Sequence, residues 1–160
     1  LGKSIGNGHP LSVVITSRDI ANNFHNGMEY FNSFGGNPVS AAIGHEVLRV
    51  IKEEKLQQNA SLVGSSLKSM LMELKNIHDI IGDVRGEGLF LGIEIVDNKK
   101  SLKPLTKTAK TIVNQMKDHG VLLSTDGPEN NVIKIKPPMV FNSANAEFLI
   151  ESLHSIFSKI

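Results

Sequence analysis

The chain has 160 residues, 40% of them apolar, and a net charge of +1 with its basic residues scattered, which allows a real core and excludes the basic stripe that nucleic acid selects. It contains no cysteine, so disulfides and thiolate metal sites are excluded. No apolar run approaches the ~20 residues that cross a bilayer, and the opening residues do not read as a signal peptide; the expectation is a cytoplasmic protein with no membrane contact.

Residues 1–38 are rich in turn signals: Gly6-Asn7-Gly8-His9-Pro10 and Gly35-Gly36-Asn37-Pro38 both read as loops. Between them the β-branched run Leu11 to Thr16 predicts a short buried strand, and Ser17 to Phe24 a short helix capped by Ser17. At Asn37 the pattern turns helical. Asn37 suits an N-cap and Pro38 the first helical position, with Ala41, Ala42, Val47, Leu48 and Ile51 following at helical spacing. Leu56, Ala60, Val63, Leu67, Met70, Leu71 and Leu74 form one apolar stripe of a second helix. Asp83 to Val96 reads as a strand region. Leu105 to His119 predicts a helix, with Ala109, Ile112, Val113 and Met116 on one face and Gly120 as its stop. Val121 to Leu123 and Val132 to Lys136 predict short strands, the second ended by Pro137-Pro138. Ser143 is the expected cap of a last helix carrying Ala146, Leu149, Ile150, Leu153 and Ile156. The order predicts an α/β architecture, helices on a small sheet. Residues 39–160 are expected to form that domain, and residues 1–38 to be the remnant of a larger one.

Two glycine motifs are rejected. Gly2-Lys3-Ser4 resembles the end of a phosphate-binding loop, but that loop needs a helix directly after its lysine, and Gly6, Gly8 and Pro10 forbid one. Gly86-x-Gly88-x-x-x-Gly92 leads into a strand, whereas the dinucleotide fingerprint opens a helix. The six histidines show no metal-binding spacing, so no metal is expected, and His9 is read as turn packing. Leu1 in place of an initiator methionine suggests a fragment.

A lysine before a glycine-rich loop has another use: enzymes dependent on pyridoxal 5'-phosphate (PLP) hold the cofactor as a Schiff base on a lysine amine. The stretch 1–10, Leu-Gly-Lys-Ser-Ile-Gly-Asn-Gly-His-Pro, resembles the segment around the PLP lysine of class III aminotransferases. Three more stretches match in order. Residues 30–38 resemble the family's phosphate-contacting loop, 84–92 its Arg-Gly-x-Gly turn, and 134–138 its closing strand. Residues 121–128 and 134–139 are most similar to the branch of the ethanolamine-phosphate phospho-lyases and the alanine–glyoxylate aminotransferase 2-like proteins.

The resemblance implies a fold-type I PLP-transferase: the edge of the large PLP-binding domain followed by the C-terminal small domain. It makes Lys3 the catalytic, cofactor-holding lysine that shuttles the proton. It makes Ser33, where the family usually has threonine, a hydrogen-bond donor to the PLP phosphate of the neighbouring subunit in a homodimer. Arg85 matches the arginine that grips a substrate carboxylate, which a planar guanidinium fork suits; the competing reading is a salt bridge at a turn. Three functions follow. The first is transamination of an amine or amino acid with a keto-acid partner. The second is a PLP phospho-lyase acting on O-phosphoethanolamine or a related phosphorylated amine. The third is a non-catalytic dimerisation domain, because in the family pattern the ring-nitrogen acid, the ring-stacking aromatic and a phosphate-binding turn all precede the lysine; by that pattern the fragment alone is expected to be inactive.

Overall fold

Each apolar stripe becomes a helix where a sheet face or another helix is there to cover it. A computed structural model describes residues 1–160 except the side chain of Lys3, and the chain divides into two compact units, Leu1–Lys55 and Leu56–Ile160.

The first unit holds a 3-10 turn at Lys3–Gly6, α1 (Arg18–Phe24) and α2 (Pro38–Glu53). Ser17 caps α1 as expected, its Oγ accepting from the Ile20 N–H at 3.4 Å. Asn37 caps α2, its Oδ1 accepting from the Ser40 N–H at 2.9 Å, and Pro38 fills the first position, where its missing N–H costs nothing. Leu11 to Thr16 is not the buried strand its composition predicts. It has no strand partner among the described residues, and Val14 and Ile15 are exposed. Leu1 and Val13 exchange one pair of bonds, Val13 N–H to Leu1 O at 2.8 Å and the Leu1 amine to Val13 O at 2.7 Å, but a single pair is not a ladder. Composition and compactness divide the chain at different places: the composition break falls near residue 38, whereas α2 groups with the residues before it. Leu11 lies so close to α2 that a Cβ on Gly44 would sit 2.6 Å from Leu11 Cδ2. Within this unit Gly44 is the buried residue of α2, Val47 and Ile51 are half-buried, and Ala41, Ala42 and Leu48 are exposed.

The second unit runs α3 (Leu56–Ile77), β1 (Ile81–Glu87), β2 (Phe90–Ile95), α4 (Thr106–Asp118), β3 (Ser124–Asp126), β4 (Val132–Ile135) and α5 (Ser143–Phe157). The strands form one antiparallel sheet in the order β1-β2-β4-β3. The expected strand region 83–96 is thus a hairpin. Alternation sends Val84, Leu91, Ile93, Ile95, Ile133 and Ile135 to one face, where they are buried with Leu67, Leu71 and Leu74 of α3, Ile112 and Met116 of α4, and Leu149, Leu153 and Ile156 of α5. Each such side chain contributes about 1.5–3 kcal/mol when fully buried. Asp83, Arg85, Glu94, Lys134 and Asp126 alternate to the other, open face.

Two boundaries differ from expectation. The strand predicted at Val121 to Leu123 begins instead at Ser124, because the helix end claims the donors before it. The Gly120 N–H donates to Lys117 O at 2.9 Å and the Val121 N–H to Met116 O at 3.0 Å, with Gly120 at φ +79°, which is the Schellman ending. The cap of α5 is Asn142 rather than Ser143: Asn142 Oδ1 accepts from the Asn145 N–H at 3.0 Å and Asn145 Oδ1 from the Asn142 N–H at 3.1 Å.

Candidate functional site

In the first unit two loops carry the expected cofactor residues, and α2 ties one to the other. The 3-10 turn at Lys3 ends at Asn7, left-handed with φ +45°, and Gly8 follows at φ +100°. The Asn7 N–H donates to Ser4 O at 3.1 Å and the His9 N–H to Gly6 O at 3.0 Å, so the loop is self-braced. The amine of Lys3 lies outside the described residues. Ser33 sits in the turn before α2. Asn32 Oδ1 accepts there from the N–H groups of Phe34 (3.2 Å) and Gly35 (3.1 Å), and Gly36 takes φ +70°. Ser33 is exposed, and among the described residues its hydroxyl has no hydrogen-bond partner.

The lysine loop is joined to α2 through His9, whose Nε2 lies 2.8 Å from Ser40 Oγ; Asn37 Nδ2 also donates to that oxygen at 3.0 Å. The turn packing expected of His9 is therefore a specific contact. Ser40 was not a sequence candidate, although the Asn37-Pro38 cap places it at the third helical position. Between the loops runs an open groove of about 960 Å³, lined by Ile5 and His9 from one loop, Asn32 and Phe34 from the other, and the first turns of α2.

In the second unit Arg85 stands on the open face of β1. Its Nη1 donates to Asp83 Oδ2 at 2.9 Å and to Glu94 Oε2 at 2.5 Å. Asp83 and Glu94 are directly opposite one another across the strand pair, so Arg85 separates two like charges that would otherwise repel. Partial burial pushes the Asp83 carboxyl up. The Arg85 hydrogen bond, the Val84 N–H and the nearby cations Lys75 and Arg85 outweigh that and hold it below the usual carboxylate range. The salt bridge weighed against substrate binding is thus present, but both contacts use Nη1. Nε and Nη2 meet no acceptor among the described residues.

Opposite Arg85 lies Gly92, and opposite Gly92 on β4 lies Lys134. The open face thus presents two cations in one row with no side chain between them. Lys134 Nζ donates to Asp126 Oδ2 at 2.8 Å. The turn that aims Arg85 is held from α3: Lys68 Nζ donates to Gly86 O at 3.0 Å. Gly64 lets the helix close on Gly88, whose carbonyl oxygen would lie 2.1 Å from any Cβ at 64. Among the described residues no group of three histidine, aspartate or glutamate side chains gathers to hold a metal, and no helix is long and apolar enough to cross a membrane.

The family model for class III aminotransferases matches residues 1–157. The alanine–glyoxylate aminotransferase 2-like protein of Drosophila melanogaster is 53% identical over 153 residues, which are 94% of this chain and 31% of that protein. Among solved structures, an Arthrobacter phospholyase in complex with phosphoethanolamine is 36% identical with a TM-score of 0.94, covering 99% of this chain and 38% of that one. An amine transaminase from an uncultivated Pseudomonas species, in its PLP-bound form, is 27% identical with a TM-score of 0.85, covering 99% of this chain and 37% of that one. The chain spans about a third of the length of the curated relatives it matches.

Proposed function

The chain belongs to the class III aminotransferase family, and we propose that it carries the lysine, one phosphate contact and a substrate-anion clamp of a PLP-dependent enzyme that transaminates an amine or amino acid with a keto-acid partner, working as a homodimer. The observation that carries this reading is the position of Lys3, inside the matched residues and on a braced glycine loop. The groups present suit the cofactor's phosphate. An exposed hydroxyl, Ser33, stands on a turn whose glycines leave the backbone open to close approach.

When bound, PLP supplies an electron sink for charge developing at the substrate carbon. The Lys3 amine holds the cofactor and moves the proton at that carbon. The Ser33 hydroxyl donates to the phosphate of the neighbouring subunit's cofactor. Arg85 presents Nε and Nη2 to the substrate's anionic group while Asp83 and Glu94 hold Nη1. Borohydride reduction of the longer protein with PLP, followed by mass spectrometry, tests the assignment. A pyridoxyl label on Lys3 is expected; a label that persists in Lys3→Ala would end it.

A second reading, a PLP phospho-lyase, is favoured by the likeness to the Arthrobacter phospholyase in complex with phosphoethanolamine, at a TM-score of 0.94 over 99% of this chain. The Lys3 step is shared, and phosphate then leaves from the neighbouring carbon. Phosphate release from O-phosphoethanolamine, measured beside amino transfer to pyruvate or glyoxylate, separates the two.

A further inference from the structure

Away from these residues, two histidines distant in sequence meet. His78, just past the end of α3, lies with Nε2 2.9 Å from Nδ1 of His154 on α5. The His78 ring also packs on Phe157 in the last turn of α5, centroids 5.4 Å apart, and Phe157 is buried. The His78 N–H donates to Leu74 O at 2.9 Å, which fixes the residue as an extension of α3. We propose that the His78–His154 contact is a proton-sensitive latch, holding the last turn of α5 to the end of α3 at neutral pH and releasing it as the pair fills with protons.

The chemistry follows from the imidazole inventory. A hydrogen bond between two rings needs one N–H and one lone pair. A first proton, taken on an outer nitrogen, leaves that bond intact. A second occupies the accepting lone pair and sets two cations about 3 Å apart; among the described residues neither ring has a carboxylate partner, and Glu151, three residues before His154 on α5, makes no ion pair with it. Asp79 is turned to Lys99 (3.2 Å), and Lys75 of α3 pairs with Asp83 of β1 (3.7 Å). Burial, then the His154 and Lys99 charges, hold His78 below the usual imidazole range. The folded state therefore binds fewer protons than the unfolded one. The latch is complete above the ordinary histidine pKa of about 6.5 and weakens as pH falls through that value toward the lower folded one.

Amide hydrogen exchange of residues 153–158 in the full chain, corrected for the intrinsic effect of pH, reads the latch directly. Wild-type protection is expected to fall as pH drops from 7.5 to 5.5, by at most about tenfold per pH unit for one proton. His78→Phe and His154→Gln should each flatten that slope. A wild-type profile without slope, or the same slope in all three proteins, overturns the latch. Should either variant fail to fold, ring-nitrogen NMR of the wild type decides: one histidine titrating below the ordinary range supports the latch, and two independent ordinary titrations overturn it.

Discussion

Gly64→Ala sets two effects of opposite sign against each other. Alanine inside a helix is better than glycine by about 1 kcal/mol, so on propensity alone the variant is stabilised. The new Cβ, however, would stand 2.1 Å from Gly88 O, 2.3 Å from its carbonyl carbon and 2.7 Å from its Cα. These are backbone atoms and cannot rotate away. To reach even a tight contact α3 must retreat by about 1 Å, and a gap of that size forfeits a quarter to a half of each dispersion contact it opens. Val63 and Leu67 flank the site and are buried, and the Lys68 to Gly86 hydrogen bond spans the same gap. Overpacking of this kind costs about 1–3 kcal/mol or more and a lost hydrogen bond about 1. The net expectation is a loss of about 2 kcal/mol, which lowers the melting temperature of a unit this size by roughly 10 °C. Thermal unfolding followed by circular dichroism measures it, with Ser65→Ala, exposed on the same helix turn, as the control that should not fall. A Gly64→Ala protein that melts at or above the wild-type temperature refutes the close approach, and with it the account of how α3 holds the Arg85 turn.

In the longer protein, Lys3→Ala should abolish turnover while changing stability by less than about 1 kcal/mol, as substitutions in open loops do; residual steady-state turnover would remove Lys3 from its proposed role. Arg85→Lys keeps the charge but loses the fork, so KM for carboxylate-bearing substrates should rise about tenfold, the equivalent of ~1.4 kcal/mol, while the exposed ion pair alters folding by under about 1 kcal/mol. An unchanged KM for every such substrate would count against the clamp and toward the phospho-lyase. Asp83, whose folded pKa is lowered, contributes its full stabilisation above the ordinary carboxylate pKa and loses it as pH falls from there through the lower folded value; in Arg85→Met its NMR titration should move back up. Asn142→Ala removes the capping box of α5 and should cost about 1 kcal/mol, read as a lower urea midpoint, whereas Ser143→Ala should leave it unchanged.

Much of the second unit was legible because its signals are local and agree with one another. The stripes at Val63, Leu67, Leu71 and Leu74, at Ala109, Ile112 and Met116, and at Ala146, Leu149, Leu153 and Ile156 are the ones that are buried. Where reading failed, a longer-range partner decided. Leu11 to Thr16 has strand composition, but a strand exists only with a neighbour to pair with. The Schellman ending at Gly120 moved a strand three residues along, because composition does not say which element claims a donor. The lysine loop and the Ser33 turn were visible as glycine-rich motifs. The His9–Ser40 tie and the row Arg85–Gly92–Lys134 were not, since neither residue spacing nor periodicity encodes which loops and strands become neighbours.

The irregularity of β1 bears on how this chain behaves in concentrated solution. With β2 on one side, β1 has no strand on the other among the described residues. A straight seven-residue edge would offer a foreign strand a regular row of donors and acceptors. The register slips between Ile81 and Asp83, and Gly86 turns to φ +129°, where a Cβ would strike Phe90 O at 2.1 Å. Asp83 and Arg85 add charge between these two faults. The same backbone distortions that aim Arg85 thus leave few consecutive residues in register for an intruding chain, so the edge is a poor template for strand-by-strand aggregation.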